Sequence, residues 1–221
     1  MVRVLQGPRI HSAKLVPLIR EVVEEAGFQT YDIDAVAVSK GPGSFTGLRI
    51  GVSTAKGLAF GLDIPLVGVA TFEALAWANR TLVFATNVPG RRQSSLVTTA
   101  PSRRDETYWQ LWKVDADPPT PLTEPRSDLY REVGRRLREA ELPITLVGEG
   151  ADLLAAVLEE PDPPARVVGP EEMRPAIHGV TELGHRLLVK GRTEDVALFE
   201  PFYLKEFIAR KGRSPFDRLP F

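Results

Sequence analysis

The residues best suited to chemistry lie in one run, Lys40-Gly41-Pro42-Gly43-Ser44-Phe45-Thr46-Gly47-Leu48-Arg49-Ile50-Gly51, where glycines and hydroxyls join two apolar segments. Amides in such a run are open to an anion or a partner, and a helix start favours negative charge. Gly41 and Gly43 reach backbone angles closed to other residues, Pro42 stiffens the turn, and Ser44 or Thr46 can cap the helix that follows. This is not a Walker loop: Lys40 precedes the glycines and no Gly-Lys-Ser/Thr follows, so no lysine is placed on a terminal phosphate. Arg49 can grip a carboxylate or phosphate bidentately. Two readings stay open, a phosphate- or partner-binding turn and a tight structural turn, with Arg49 equally at home in a surface ion pair.

Other candidate groups are weaker. His11, His178 and His185 have no metal-ligand spacing; the last two are seven apart and share a helix face only if that helix begins before Gly179. No metal is expected. Ser44 lacks the Gly-x-Ser-x-Gly elbow of a nucleophilic serine, and Asp32, Asp34 and Asp63 flank strands as turn formers do. No catalytic residue is assigned. Tyr108, Trp109 and Trp112 lie in a strand and read either as a base-stacking platform or as core packing. The end of the chain, 205–221, sets Lys205, Arg210, Lys211, Arg213 and Arg218 against Glu206 and Asp217, which suits RNA, an acidic partner or plain solvation.

The elements that position the loop are legible from periodicity. Ile33 to Ser39 is a short β-branched strand and Leu48 to Leu62 has helical spacing, so the loop sits at a strand's carboxyl end. Ser12 to Ala26 predicts an amphipathic helix with Leu15, Leu18, Ile19, Val22, Val23 and Ala26 on one face, Pro17 inside it and Gly27 ending it. Ile64 to Ala70 predicts a strand and Thr71 to Asn79 a helix capped by Thr71. This alternation implies a parallel sheet covered by helices.

Beyond an exposed loop at Pro89 to Ser95, strands are expected at Leu96 to Thr99, Thr107 to Val114, Ile144 to Val147 and Val167-Val168. Helices are expected at Ser127 to Glu141, Ala151 to Glu159 and Thr181 to Lys190, and Asp117 to Pro121 reads as a stiff linker. The division predicted is 1–95 for a first α/β lobe, 96–204 for a second, and 205–221 for the basic tail. On the second helix of the first lobe, Gly47, Gly51, Thr54, Ala55 and Gly61 form a small-residue stripe, and glycine in a helix needs a compensating reason. Close packing supplies one, either against the chain's own sheet or against the same helix pair of another molecule.

Composition sets outer bounds. With 221 residues, 43% hydrophobic, the chain can bury a good core. A formal net charge of −1 withholds the electrostatic footprint of an autonomous nucleic-acid binder. The absence of cysteine excludes disulfides, thiol nucleophiles and cysteine-ligated zinc. No apolar run has membrane-spanning length, and a cytoplasmic protein is expected.

The run from Lys40 to Gly51, with Ala55, Gly57-Leu58-Ala59, Pro65-Leu66-Val67-Gly68-Val69-Ala70-Thr71 and Phe72-Glu73-Ala74-Leu75-Ala76, resembles the TsaB (YeaZ) family of bacterial tRNA threonylcarbamoyladenosine proteins. Fainter echoes follow at Arg103 to Trp109, Val147 to Ala151 and Glu200 to Lys205. The resemblance implies a two-lobed α/β actin-like ATPase fold (ASKHA, ribonuclease H-like) and a noncatalytic subunit that holds the catalytic TsaD. Its partner face would be Leu15, Leu18, Ile19, Val22, Gly47, Gly51, Thr54 and Ala55, beside the glycine loop Gly41, Pro42, Gly43, Ser44, Phe45, Thr46 and Arg49. A TsaE-like ATPase would dock on that pair, tRNA would be met through the complex, and the chain alone would form a homodimer. No cofactor is expected in the chain itself, with ATP or ADP allowed at the complex interface.

The family opens with an aspartate-bearing β-hairpin that has no counterpart here, so the first lobe is expected to be N-terminally truncated, with an uncovered sheet edge. Asp105-Glu106 stands where the family has Gly-Glu, and Pro101 where it has Asp. The rival readings are a small nucleotide-binding phosphotransferase or ATPase of the same fold, and a self-associating domain without a tRNA role.

Overall fold

The structure is a computed structural model, and it describes residues 2–4, 11–83, 95–114, 117–140, 143–158 and 165–205. Helix α1 (His11–Glu25) carries Pro17 inside it. The chain leaves it through Gly27, whose amide donates to Glu24 O. Strand β1 (Val36–Gly41) enters the glycine loop, helix α2 (Phe45–Leu62) leaves it, and strand β2 (Leu66–Ala70) returns parallel to β1 with Val36 opposite Leu66. Helix α3 (Thr71–Val83) follows directly. The first sheet of the described residues is this parallel pair.

Both faces of β2 are covered, as a parallel strand requires. Leu66 packs with Val52, Ala55 and Ala59 of α2 and with Phe199, whereas Val67 and Val69 pack with Ala74 and Trp77 of α3 and with Val180 and Leu183. The latter two lie on helix α6 (Ala176–Val189), which also contacts β1. The division at 95/96 therefore needs correcting at its far end: 176–203, expected in the second lobe, returns to the first sheet. Its apolar face at Val180 and Leu183 has β1, β2 and α3 to bury against.

The second sheet is built from β3 (Ser95–Pro101), β4 (Glu106–Lys113), β5 (Thr120–Pro121), β6 (Arg126–Leu129), β7 (Ile144–Gly148) and β8 (Arg166–Val167). Its order is β5-β4-β3-β7-β8, with β6 also on β4. Helices α4 (Tyr130–Glu139) and α5 (Ala151–Ala156) cover one face, where Val97, Trp109, Val133, Leu137, Leu146 and Leu154 cluster. The other face holds Phe72, Leu75, Leu96, Trp112 and Val147, so α3 is shared by the two sheets.

Three expectations are corrected. The helix placed at Ser127 begins at Tyr130, because 126–129 pairs antiparallel with 106–109. The stretch read as a stiff linker contains β5, whose Thr120 and Pro121 pair with Lys113 and Trp112. The last helix begins at Ala176 rather than Thr181, so His178 and His185 do share it, both exposed. Between the two readings of the aromatics, packing holds for the tryptophans: Trp109 and Trp112 are 2% and 3% exposed on opposite faces, donating to Asp128 and to Thr98 Oγ1. Of the loop expected at Pro89 to Ser95, Ser95 opens β3, and the rest of it, like the basic residues beyond Lys205, lies outside the described residues.

Candidate functional site

The glycine loop forms as the residue types dictate. Ser44 is the N-cap of α2 and its Oγ accepts from the Gly47 amide at 3.3 Å. The Gly41–Pro42 peptide is cis and Gly41 has φ +116°, in the region open to glycine. The Gly41 amide donates to Thr71 Oγ1 at 3.1 Å, and the same oxygen pairs with Ser39 Oγ at 2.6 Å. Thr71, expected to cap its own helix, instead ties the end of β1 to the start of α3.

The charged residues of the loop are engaged by the chain itself. Lys40 Nζ donates to Glu194 Oε1 at 3.2 Å. The Arg49 guanidinium lies 4.0 Å over the Phe45 ring, and its Nε donates to the Tyr203 hydroxyl at 3.3 Å. The rings of Phe45 and Tyr203 stand 5.0 Å apart. Lys40 O accepts from the Phe202 amide at 2.7 Å. Gly43 has nothing within 4 Å of where a Cβ would sit, and Ser44, Thr46 and Gly47 are exposed. With Gly41 and Pro42 buried, the loop presents small polar groups outward while its basic side chains face the returning chain.

The partner face divides. Leu15, Leu18, Ile19 and Val22 of α1 are half-buried, as are Gly51 and Thr54 of α2, and Gly47 is exposed. Ala55 is corrected: at 4% exposure it belongs to the core beside Val52, Ala59 and Leu66, because it falls on the helix face turned toward the strands. Gly61 meets nothing within 4 Å of a built Cβ, and neighbouring Phe60 is 83% exposed. Sequence reasoning missed Lys56, whose Nζ donates to Ala197 O at 3.0 Å and Phe199 O at 2.9 Å, and also Phe199, Phe202 and Tyr203. The echo at Glu200 to Lys205 was the available signal for the last two.

Among the described residues nothing else assembles into a reactive constellation. His178 and His185 are exposed on α6, Asp32 accepts from the Gln29 amide at 2.7 Å, and Asp63 closes α2 in a left-handed conformation. Among the described residues no group of three or more His, Cys, Asp or Glu could hold a metal. No helix among them is long and apolar enough to cross a membrane. Glu106, the first residue of β4, pairs with Lys205.

A parallel strand pair with a glycine loop between strand and helix, joined through a shared helix to a mixed second sheet, makes this a two-lobed protein of the α/β class. The family model described as TsaD, tRNA N6-adenosine threonylcarbamoyltransferase, matches residues 7–106. Within that class the resemblance is to the TsaB (YeaZ) family. The chain is 29% identical over 205 residues to the tRNA threonylcarbamoyladenosine biosynthesis protein TsaB of Escherichia coli, covering 92% of this chain and 84% of that one. It is also 53% identical over 66 residues to the tRNA N6-adenosine threonylcarbamoyltransferase of Koribacter versatilis, 29% of this chain and 17% of that one. The solved structure of YeaZ from Pseudomonas aeruginosa superposes with a TM-score of 0.69 at 22% identity, covering 89% of this chain and 85% of that one, and shows the shared fold.

Proposed function

We propose that this chain is the accessory, noncatalytic subunit of a tRNA N6-threonylcarbamoyladenosine synthesis complex and holds a TsaD-like catalytic subunit through α1 and α2. The observation that carries the reading is the α1–α2 surface. Leu15, Leu18, Ile19 and Val22 stay half-buried, beside the small residues Gly47, Gly51 and Thr54, which let another helix approach. Val16 of the same helix is 47% exposed, and apolar side chains left partly open to solvent suit an interaction site. Similarity over most of the chain to a protein named for threonylcarbamoyladenosine biosynthesis supports the pathway.

On this reading the chain contributes interface free energy while the partner transfers the threonylcarbamoyl group to adenosine. The same face joins two copies when the chain is alone, a TsaE-like ATPase docks on the heteromeric pair, and tRNA is met through the complex. The chain itself holds no cofactor, and ATP or ADP belongs at the interface. Gly51→Leu tests the assignment. A Cβ at Gly51 meets only Val38 Cγ2, at 3.9 Å, an ordinary van der Waals contact, so a side chain can begin here without displacing the lobe. The variant should keep its far-UV circular dichroism and lose the TsaD homologue in a pull-down; retained binding counts against this face.

A further inference from the structure

The segment Glu194 to Tyr203 crosses the α2 side of the first sheet and touches every part of the glycine-loop unit. It starts on the edge of β2, where the Glu194 amide donates to Leu66 O at 2.8 Å. Phe199 then enters the core between α2 and the strands, 7% exposed against Val52, Ala55, Ala59 and Leu66. Lys56 of α2 reaches across to hold the carbonyls of Ala197 and Phe199. The segment ends under the loop, with the Phe202 amide on Lys40 O and the Tyr203 hydroxyl accepting from Arg49.

Two glycines are explained by this segment. A Cβ on Gly41 would lie 2.4 Å from Phe202 O, and one on Gly68 would lie 2.7 Å from both Glu194 Oε1 and Phe199 Cε2. Gly68 sits in the middle of a buried strand, where glycine forgoes packing and needs a close approach to justify it. We infer that Glu194–Tyr203 is a clamp that fixes the glycine loop and the first turns of α2, and that Tyr203, Arg49 and Lys56 are positioning residues for the partner face. Loop order that is lost on releasing the clamp must be restored by the partner, which weakens binding without removing a contact to it.

This inference rests on the proposed partner role, and the test separates the two. The full chain is prepared as wild type and as Tyr203→Ala, Tyr203→Phe, Lys56→Met and Gly68→Ala, each checked by circular dichroism. Amide hydrogen exchange over residues 43–49 and the dissociation constant for the TsaD homologue of the same organism are then measured. Release of the clamp predicts exchange at least tenfold faster and binding at least tenfold weaker for Tyr203→Ala and Lys56→Met. Tyr203→Phe, which keeps the ring over Phe45, should recover part of both. Lys56→Met keeps the apolar stem, so it decides the matter if Gly68→Ala does not fold. Unchanged exchange overturns the clamp, and faster exchange with unchanged affinity overturns its positioning role. Wild type that fails to bind removes the partner reading and the positioning role with it, while exchange still decides whether the clamp orders the loop.

Discussion

At the scale of single residues, Asn79 shows how a polar group is retained in the core. Its side chain is fully buried on α3, donates to Leu75 O and Arg174 O at 2.9 Å each, and accepts from the Arg174 amide at 2.8 Å. Asn79→Ala removes all three bonds and leaves the Arg174 backbone without them, so stability should fall by about 1–3 kcal/mol in urea unfolding. An unchanged midpoint would contradict that account. Gly41 makes a second case, because its φ of +116° and the Phe202 carbonyl both act against a side chain. Gly41→Ala should cost roughly 1–3 kcal/mol by the same measurement, with the slope against denaturant unchanged. Glycine's presence at 41 was legible as a turn requirement; its contact with Phe202 was not, since nothing local joins residues so far apart in sequence.

At the scale of elements, β1, α2, β2 and α3 were readable because local pattern and tertiary surroundings agree. Ile33 to Ser39 has the β-branched character of a strand, which forms from Val36, and Leu48, Val52, Ala55 and Ala59 fall on one helix face. Where the two disagree, the sequence misled. Ser127 to Leu129 continues the polarity of the helix that follows, yet pairing with Glu106 to Tyr108 makes it strand. Ala55 was placed on the partner face with the rest of the small-residue stripe because small residues look alike whichever way they face. The α1 face was legible as amphipathic, and in the fold its apolar side chains are partly buried rather than sealed in a core. Ile19→Glu and Val22→Glu should therefore cost roughly 0.5–1.5 kcal/mol each, less than a change in the sealed core. The same variants should abolish retention of the TsaD homologue; thermal unfolding and pull-down together check this. A large loss of stability would show that the face serves the chain's own core.

At the scale of the whole molecule, the sheets are coupled through α3 and through the return of the chain after β8. Trp77 on α3 sits between the guanidiniums of Arg80 and Arg186, each 4.1 Å from its ring, and donates to Glu182 at 3.0 Å, which locks α3 to α6. The clamp that follows α6 then reaches α2, so residues late in the chain complete the unit that carries the partner face. The central claim is that this unit is a docking face, and size-exclusion chromatography with light scattering tests it most directly. The chain is run alone and mixed with the TsaD homologue of its own organism. The account predicts a homodimer alone and a stoichiometric heteromeric complex in the mixture. Separate elution of the two proteins, with this chain shown to be folded, would contradict it.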